Sequence, residues 1–276
     1  MESEFDFSAH RRYFVKAAAL TTGSLMAWPV FSRSFSFPDI DYDYMDLHVH
    51  TAPSFGMDRI MQISQEKRIK FGIVEHPGRN SRIRNDVDLK NYIKGLRQYP
   101  VYIGLQPTRR NWMKDFSEEV ISQVDYILMD PQTIPNDDGS FMGIWKFDTR
   151  VDDTEVFMKK YMSHSVDILE NEPIDVFGWP LFLPVCIARD YYAIWTEERM
   201  QTIIDLAKAK NIAIEINEMA HVPHKEFITA AKARGLKFTF GSDARDPRAG
   251  AIVYGRKVVE ACRLTKDDFF VPGRRS

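Results

Sequence analysis

The chain has 276 residues, a formal net charge of −2, and contents of 44% hydrophobic and 28% charged residues. This length fits one large domain or two small ones, and the balance excludes a disordered chain. No basic excess is present to hold nucleic acid nonspecifically, so we expect no nucleic-acid partner. The two cysteines, Cys186 and Cys262, lack metal-site spacing. We expect two buried free thiols, although an exported protein would also allow one disulfide.

The N-terminal segment carries an export-like pattern. Residues 8–28 read SAHRRYFVKAAALTTGSLMAW, with a twin arginine, Arg11 and Arg12, followed by Phe14, Lys16 and a short, mildly apolar stretch. That stretch is too short to span a bilayer. The pattern resembles a twin-arginine export signal, and the alternative is a basic amphipathic helix. We therefore expect 1–36 to be a signal segment read by the twin-arginine machinery, and the protein to be exported to the periplasm or beyond.

Apolar runs of strand length alternate with helical patterns along the rest of the chain. The predicted strands are Tyr42–Val49, Phe71–Val74, Val101–Leu105, Tyr126–Met129, Ile174–Gly178, Ile212–Ile216 and Leu236–Phe240. The predicted helices are 58–70, 86–98, 117–123, 152–170, 196–210, 225–234 and 249–262. The segment 131–150 reads as irregular and is too long for an ordinary connection, so it is a candidate lid.

Seven strand–helix units in series predict a parallel sheet. Most of the strands are apolar on both faces, as strands covered on both sides are in a closed α/β barrel. Residues 37–276 match the size of one such barrel. We predict an α/β barrel of seven βα units in a single domain, with its active site at the C-terminal ends of the strands.

Polar residues follow these strand ends. They are His48 and His50, Glu75 and His76, Gln106, Asp130, Trp179, Glu215 and Asn217, and Ser242, Asp243 and Arg245. Residues i and i+2 of a strand point to the same side, so His48 and His50 can place two imidazoles at one point. Asp243 follows the last strand, which adjoins the first in a closed barrel. Imidazole and carboxylate ligands suit zinc, iron or manganese, and the alternative is a polar strand end without a function.

Several of these residues lie in recognisable motifs. DLHVHT (46–51), GIVEHPG (72–78), IEIN (214–217) and FTFGSDAR (238–245) resemble motifs of the polymerase-and-histidinol-phosphatase (PHP) family over about 45–251. The resemblance implies a distorted (βα)7 barrel with His48, His50, His76 and Asp243 as metal ligands. Members of the family are mostly phosphoesterases, in which metal ions bind phosphate and lower the pKa of an attacking water.

Four positions depart from the family pattern. Gln106 stands where the family has a bridging glutamate, Trp179 where it has a histidine, Asp130 where a histidine is common, and Arg245 where the last motif ends in histidine. Lost ligands and an added guanidinium predict one divalent ion, at most two. Arg245 would instead grip an anionic group of the substrate, unless it pairs with a nearby carboxylate such as Asp246.

The remaining candidates have less defined roles. Glu75, Asp130 and Arg245 are candidates for catalysis, and Glu75 could equally be a ligand or a supporting partner. Gln106, Trp179 and Arg109 are candidates for substrate contact, against a packing role for Trp179 and a solvated loop for Arg109. Glu215 is expected to support the barrel interior. The loop histidines His221 and His224 either fill a lost ligand position or have no role in the site.

These observations predict an exported, metal-dependent hydrolase that acts on a small anionic substrate and is most similar to a phosphoesterase. One alternative is a degenerate family member that binds a ligand without turnover. Another is a relative of the amidohydrolase barrels, which cleave C–N or C–O bonds and would need ligand histidines after the fifth and sixth strands.

Overall fold

The computed structural model describes residues 44–273. Its strands are β1 (Tyr44–Val49), β2 (Ile69–Glu75), β3 (Tyr102–Leu105), β4 (Tyr126–Met129), β5 (Thr133–Pro135), β6 (Phe141–Gly143), β7 (Val176–Phe177), β8 (Ala213–Asn217) and β9 (Phe238–Gly241). Its α-helices are α1 (Met57–Lys67), α2 (Asp86–Leu96), α3 (Glu118–Ile121), α4 (Thr154–Asn171), α5 (Tyr191–Ile194), α6 (Glu197–Ala209), α7 (Lys225–Ala233) and α8 (Val253–Cys262). The predicted signal segment, the boundary at residue 37 and the first two residues of the first predicted strand lie outside the described residues.

The predicted barrel is confirmed. Seven parallel strands close in the order β1-β2-β3-β4-β7-β8-β9, and β1 returns to β9 through the pairing of Asp46 with Phe240. The register between β1 and β2 shifts between Asp46 and Val49. Because all strands run the same way, their C-terminal ends meet at one mouth, where the polar residues predicted from the sequence lie.

One tyrosine crosses the barrel interior. Tyr126 on β4 is fully buried, and its hydroxyl donates to the Leu47 carbonyl at 2.5 Å. A Cβ at Gly72 would overlap this hydroxyl, and a Cβ at Gly104 would overlap the ring. The two glycines on β2 and β3 therefore leave the space in which the ring crosses the barrel.

Local signals explain where the helices begin. Asp153 caps α4, its carboxylate accepting from the backbone N–H groups of Glu155 and Val156 at 2.9 and 3.0 Å. Asn85 caps α2 in the same way, and Thr196 caps α6. These side chains satisfy N–H groups that have no partner within the helix.

Several element bounds differ from the prediction, and two of these differences have a clear local cause. The first helix ends at Lys67 rather than at 70, because Arg68 adopts a left-handed conformation (φ 53°) and Ile69 already pairs with Tyr44. The segment 131–150, predicted to be irregular, contains the antiparallel pair β5–β6. Its strands are only three residues long, too short for a periodic pattern. Within 44–273, no helix has both the length and the apolar character needed to cross a membrane.

Candidate metal centre

Two histidines of the first strand end converge on one carboxylate oxygen. Nε2 of His48 lies 3.4 Å from Oδ1 of Asp243, and Nε2 of His50 lies 3.2 Å from the same oxygen. All three residues are buried. Neither Nε2 atom has a hydrogen-bond partner among the described residues. Buried nitrogens without partners are costly, so a cluster of this kind could hold a metal ion between the three side chains.

The closure of the barrel brings these residues together. Asp46 on β1 accepts from the backbone N–H groups of Ser242 and Gly250 at 3.0 and 2.9 Å. His50 N donates to the Ala244 carbonyl at 3.0 Å. Burial raises the pKa of Asp46 although these hydrogen bonds favour its charged form. Asp46 thus ties the first strand end to the segment that carries Asp243.

Glu215 orients His48 through Nδ1, the ring nitrogen that does not face Asp243. Its Oε1 lies 2.6 Å from Nδ1 of His48, and its Oε2 accepts the backbone N–H of Trp179 at 2.6 Å. A Cβ at Gly241 would overlap Oε1 of Glu215, so glycine there leaves room for the carboxylate. A carboxylate on Nδ1 fixes the ring orientation and leaves Nε2 as the atom that faces the site.

A second group overlaps the first. His50, Glu75 and His76 place one ligand atom each within 4.8 Å of one another, and the rings of His50 and His76 are 5.1 Å apart. Nδ1 of His76 lies 2.9 Å from the Gln106 carbonyl oxygen. A carbonyl only accepts, so Nδ1 carries the proton and Nε2 of the neutral ring is free to act as a ligand. The two groups thus share His50 as a possible ligand.

Charge in the mouth is unevenly distributed. Burial alone lowers the pKa of His48, but the Glu215 and Asp243 carboxylates outweigh it and raise this pKa to about 9. Burial lowers the pKa of His50 to about 4. Burial opposes the ionisation of Asp243, yet His48, His50 and Arg245 hold its pKa well below its usual range. The cluster therefore pairs one imidazolium with an ionised carboxylate, and a cation binding there would displace the His48 proton.

The third and fourth strand ends form a separate polar network. Gln106 Nε2 donates to Oδ2 of Asp130 at 2.8 Å, and Gln132 N donates to its Oδ1 at 3.0 Å. Asp130 is buried, and burial raises its pKa. Oε1 of Gln106 and Nε2 of Gln132 have no hydrogen-bond partner among residues 44–273. Gln106 therefore binds Asp130 in this structure, and both line the mouth across from the histidines.

Trp179 and Arg245 occupy positions where the family pattern has ligands. Trp179 is buried with a left-handed backbone (φ 44°), and its ring packs edge-on against Phe182. Arg245 Nη1 donates to Oδ1 of Asp243 at 2.7 Å. Arg245 therefore pairs with a nearby carboxylate, which was the alternative to a substrate contact. That carboxylate belongs to Asp243 and not to Asp246, because Asp246 pairs with Arg248.

Other sequence candidates lie away from the cluster. Arg109 is exposed and sits over the Phe141 ring at 4.2 Å. His221 is exposed and stacks on Tyr254 at 5.0 Å, while the buried His224 lies 3.3 Å from the Tyr191 hydroxyl. Sequence reasoning missed Arg82, whose Nη1 donates to Oε2 of Glu75 at 3.1 Å. The only available signal was its place in the loop after the second strand.

Comparisons with known proteins assign no family to this chain. No protein-family model and no curated protein matches the chain. One solved structure, described as a cryo-EM structure of archaeal Ribonuclease P with mature tRNA, contains a chain similar to this one at a TM-score of 0.38 and 12% identity. The match covers 79% of this chain and 88% of that one. Similarity at this level has no functional implication, so the relationship to the PHP family stays a prediction from the sequence motifs.

Proposed function

We propose that this protein is a metal-dependent hydrolase of phosphate esters. The observation that carries the proposal is the pair of buried Nε2 atoms, from His48 and His50, that face Oδ1 of Asp243 without hydrogen-bond partners. Zinc, manganese and iron accept this donor set. When bound, such an ion supplies positive charge for a phosphoryl oxygen and a lower pKa for an attacking water.

The residues around the cluster would position the histidines and hold or accept protons. Glu215 holds the ring of His48, and the Gln106 carbonyl holds that of His76. Asp130, whose pKa is raised by burial, is the candidate for holding a proton in the mouth. Glu75, a buried residue next to His76, is the candidate proton acceptor.

Metal analysis and an activity screen test the proposal together. We expect the purified full chain to hold one or two equivalents of zinc, manganese or iron and to hydrolyse p-nitrophenyl phosphate. The double variant His48→Ala/His50→Ala should lose both properties. The proposal would be contradicted if the purified chain contained no metal, did not bind added zinc, manganese or iron, and hydrolysed no ester.

A ligand-binding protein without turnover is the second candidate. The contact between Arg245 and Asp243 favours it, because the guanidinium occupies the carboxylate oxygen that a metal would need. This candidate predicts that phosphate esters bind without being hydrolysed, and that their binding is unchanged when His48 and His50 are replaced by alanine.

Amides and lactones belong in the same activity screen, because they test the amidohydrolase alternative. The exposed ring of His221, stacked on Tyr254, disfavours such a site.

We also propose export by the twin-arginine machinery, on the pattern around Arg11 and Arg12. Replacing both by lysine should retain the protein in the cytoplasm, as measured by cell fractionation. Unchanged export of that variant would contradict the proposal.

A further inference from the structure

A cavity of about 520 Å³ opens beside the second histidine group. Its lining comes from the end of β2, the turn that follows it and the loop after β3: Glu75, His76, Asn80, Ser81, Arg82 and Thr108. Two of these residues, Glu75 and His76, also belong to the group that could hold a metal ion. We call this cavity the rim cavity. A molecule bound in it would lie next to the candidate metal centre.

The turn that builds the rim cavity is tied at both ends. Gly78 N donates to the Ile83 carbonyl at 2.8 Å, and Ser81 N donates to the Gly78 carbonyl at 2.9 Å. Gly78 has a φ of 135°, which a residue with a side chain rarely adopts. Ser81 is thus held by a backbone hydrogen bond, and Arg82 lies between it and Ile83, whose carbonyl is also bonded.

Three neutral polar side chains in the lining are available to a ligand. The side chains of Asn80, Ser81 and Thr108 make no hydrogen bond to any other residue of 44–273. Amide and hydroxyl groups can both donate and accept. A ligand hydroxyl also does both, so several ligand hydroxyls would match this wall.

Arg82 adds one positive charge with unused donors. One nitrogen donates to Oε2 of Glu75 at 3.1 Å, and 67% of the side chain is exposed. A guanidinium has five N–H donors in a planar fork that matches phosphate oxygens. The remaining donors can therefore contact a phosphate group held between Arg82 and His76.

We propose that the rim cavity binds a phosphate ester of a sugar or other polyol. Arg82 contacts phosphate oxygens, and Asn80, Ser81 and Thr108 bind hydroxyls of the alcohol. This assignment rests on the proposed function, since it names the substrate class of that site. An aryl or alkyl phosphate would cover the same polar side chains without giving them partners, and that loss disfavours its binding.

Binding measured by calorimetry tests the proposal without relying on turnover. The probes are glucose 6-phosphate, ribose 5-phosphate, glycerol 3-phosphate and phenyl phosphate, titrated into the full chain with and without added zinc. We expect at least one polyol phosphate to bind about tenfold tighter than phenyl phosphate, as for two or more extra hydrogen bonds. The double variant Ser81→Ala/Thr108→Val should abolish that preference.

Arginine variants separate the phosphate contact from general charge. Arg82→Gln should weaken all the phosphates about tenfold, the usual size of a charge-assisted hydrogen bond. Arg84→Gln is the matched control, because Arg84 pairs with Asp88 and does not line the cavity. Its binding should equal that of the wild type.

The outcomes distinguish this proposal from the proposed function. Equal binding of polyol and phenyl phosphates by the wild type, or polyol binding unaffected by the cavity variants, would overturn the rim-cavity assignment even if phenyl phosphate is hydrolysed. Selective polyol binding without hydrolysis would support the assignment and count against the hydrolase.

Discussion

Nδ1 of His48 lies 2.6 Å from Oε1 of Glu215, and both side chains are completely buried. The carboxylate of β8 thus reaches past the neighbouring β9 to the end of β1. It cannot be a surface ion pair, because no part of either residue meets solvent. Its second oxygen accepts from Trp179 N at 2.6 Å and from Asn217 at 3.2 Å, so Glu215 ties three strand ends together.

Glu215→Gln should weaken metal binding while the barrel stays folded. Glutamine keeps the shape but loses the charge that fixes and polarises the His48 ring. We expect zinc affinity to fall roughly 10–100-fold, the usual cost of losing such a supporting partner. Competition titration against a chelating dye measures it. Glu226→Gln, an exposed carboxylate on α7, is the control and should bind zinc like the wild type. Equal affinities for Glu215→Gln and the control would show that Glu215 only fills space.

Gly241→Ala should damage the same contact from the other side. The added Cβ would overlap Oε1 of Glu215 and lie 2.9 Å from Cβ of His48. We expect a loss of zinc affinity at least as large as that of Glu215→Gln, together with a lower melting temperature. Gly95→Ala on α2 is the control, since nothing lies within 4 Å of its new methyl group. Wild-type zinc affinity in Gly241→Ala would contradict this account of the glycine.

The fold was predictable because its evidence is periodic and local. Strands such as 126–129 are apolar on both faces, which restricts them to a sheet covered on both sides. The convergence of His48 and His50 follows from strand geometry, and the approach of Asp243 follows from closure of the barrel.

Contacts that depend on side-chain reach were not predictable. Nothing in the spacing of residues 48, 215 and 241 reveals that one carboxylate spans two strand ends because a glycine leaves room. The partner of Arg245 was equally hidden, since Asp243 and Asp246 are both near it in sequence. Only the left-handed backbone of Asp243 (φ 48°) places its carboxylate beside that guanidinium and the histidines.

Arg245→Gln should strengthen metal binding. The guanidinium nitrogen lies 2.7 Å from Oδ1 of Asp243, the oxygen that faces both histidines, so it competes with a cation for this atom. Removing one charge at this distance should raise zinc affinity about tenfold. Arg248→Gln is the control, because Arg248 pairs with Asp246. Weaker zinc binding by Arg245→Gln would mean that the guanidinium holds Asp243 in place for the metal.

Gly104→Ala should destabilise the barrel interior. Its Cβ would overlap the ring of Tyr126, which is enclosed and cannot move aside. We expect the free energy of unfolding in urea to fall by about 3 kcal/mol, the upper range for overpacking. Gly95→Ala in α2 should instead be neutral or stabilising by up to about 1 kcal/mol. The double variant Gly104→Ala/Tyr126→Leu should recover part of the loss, and its failure to do so would contradict a clash with this ring.

His164 should make stability depend on pH below neutrality. It is buried in α4, and burial, followed by the charge of Arg110, lowers its pKa from 6.5 to about 4. Between pH 6.5 and pH 4, His164 therefore binds a proton in the unfolded chain but stays neutral in the folded chain. The contribution of His164 to the free energy of unfolding is therefore fully present above pH 6.5. It decreases by about 3 kcal/mol as the pH falls toward 4.

Urea unfolding at pH 7 and pH 4 isolates the contribution of His164. Other groups titrate in this range, so the comparison is between the wild type and His164→Leu, in which the ionisable ring is gone. The loss of unfolding free energy between the two pH values should be smaller in His164→Leu by about 3 kcal/mol. Met162→Leu, on the same helix, removes no ionisable group and should follow the wild type. If His164→Leu loses as much stability as the wild type, the ring of His164 must accept its proton in the folded chain as readily as in the unfolded one.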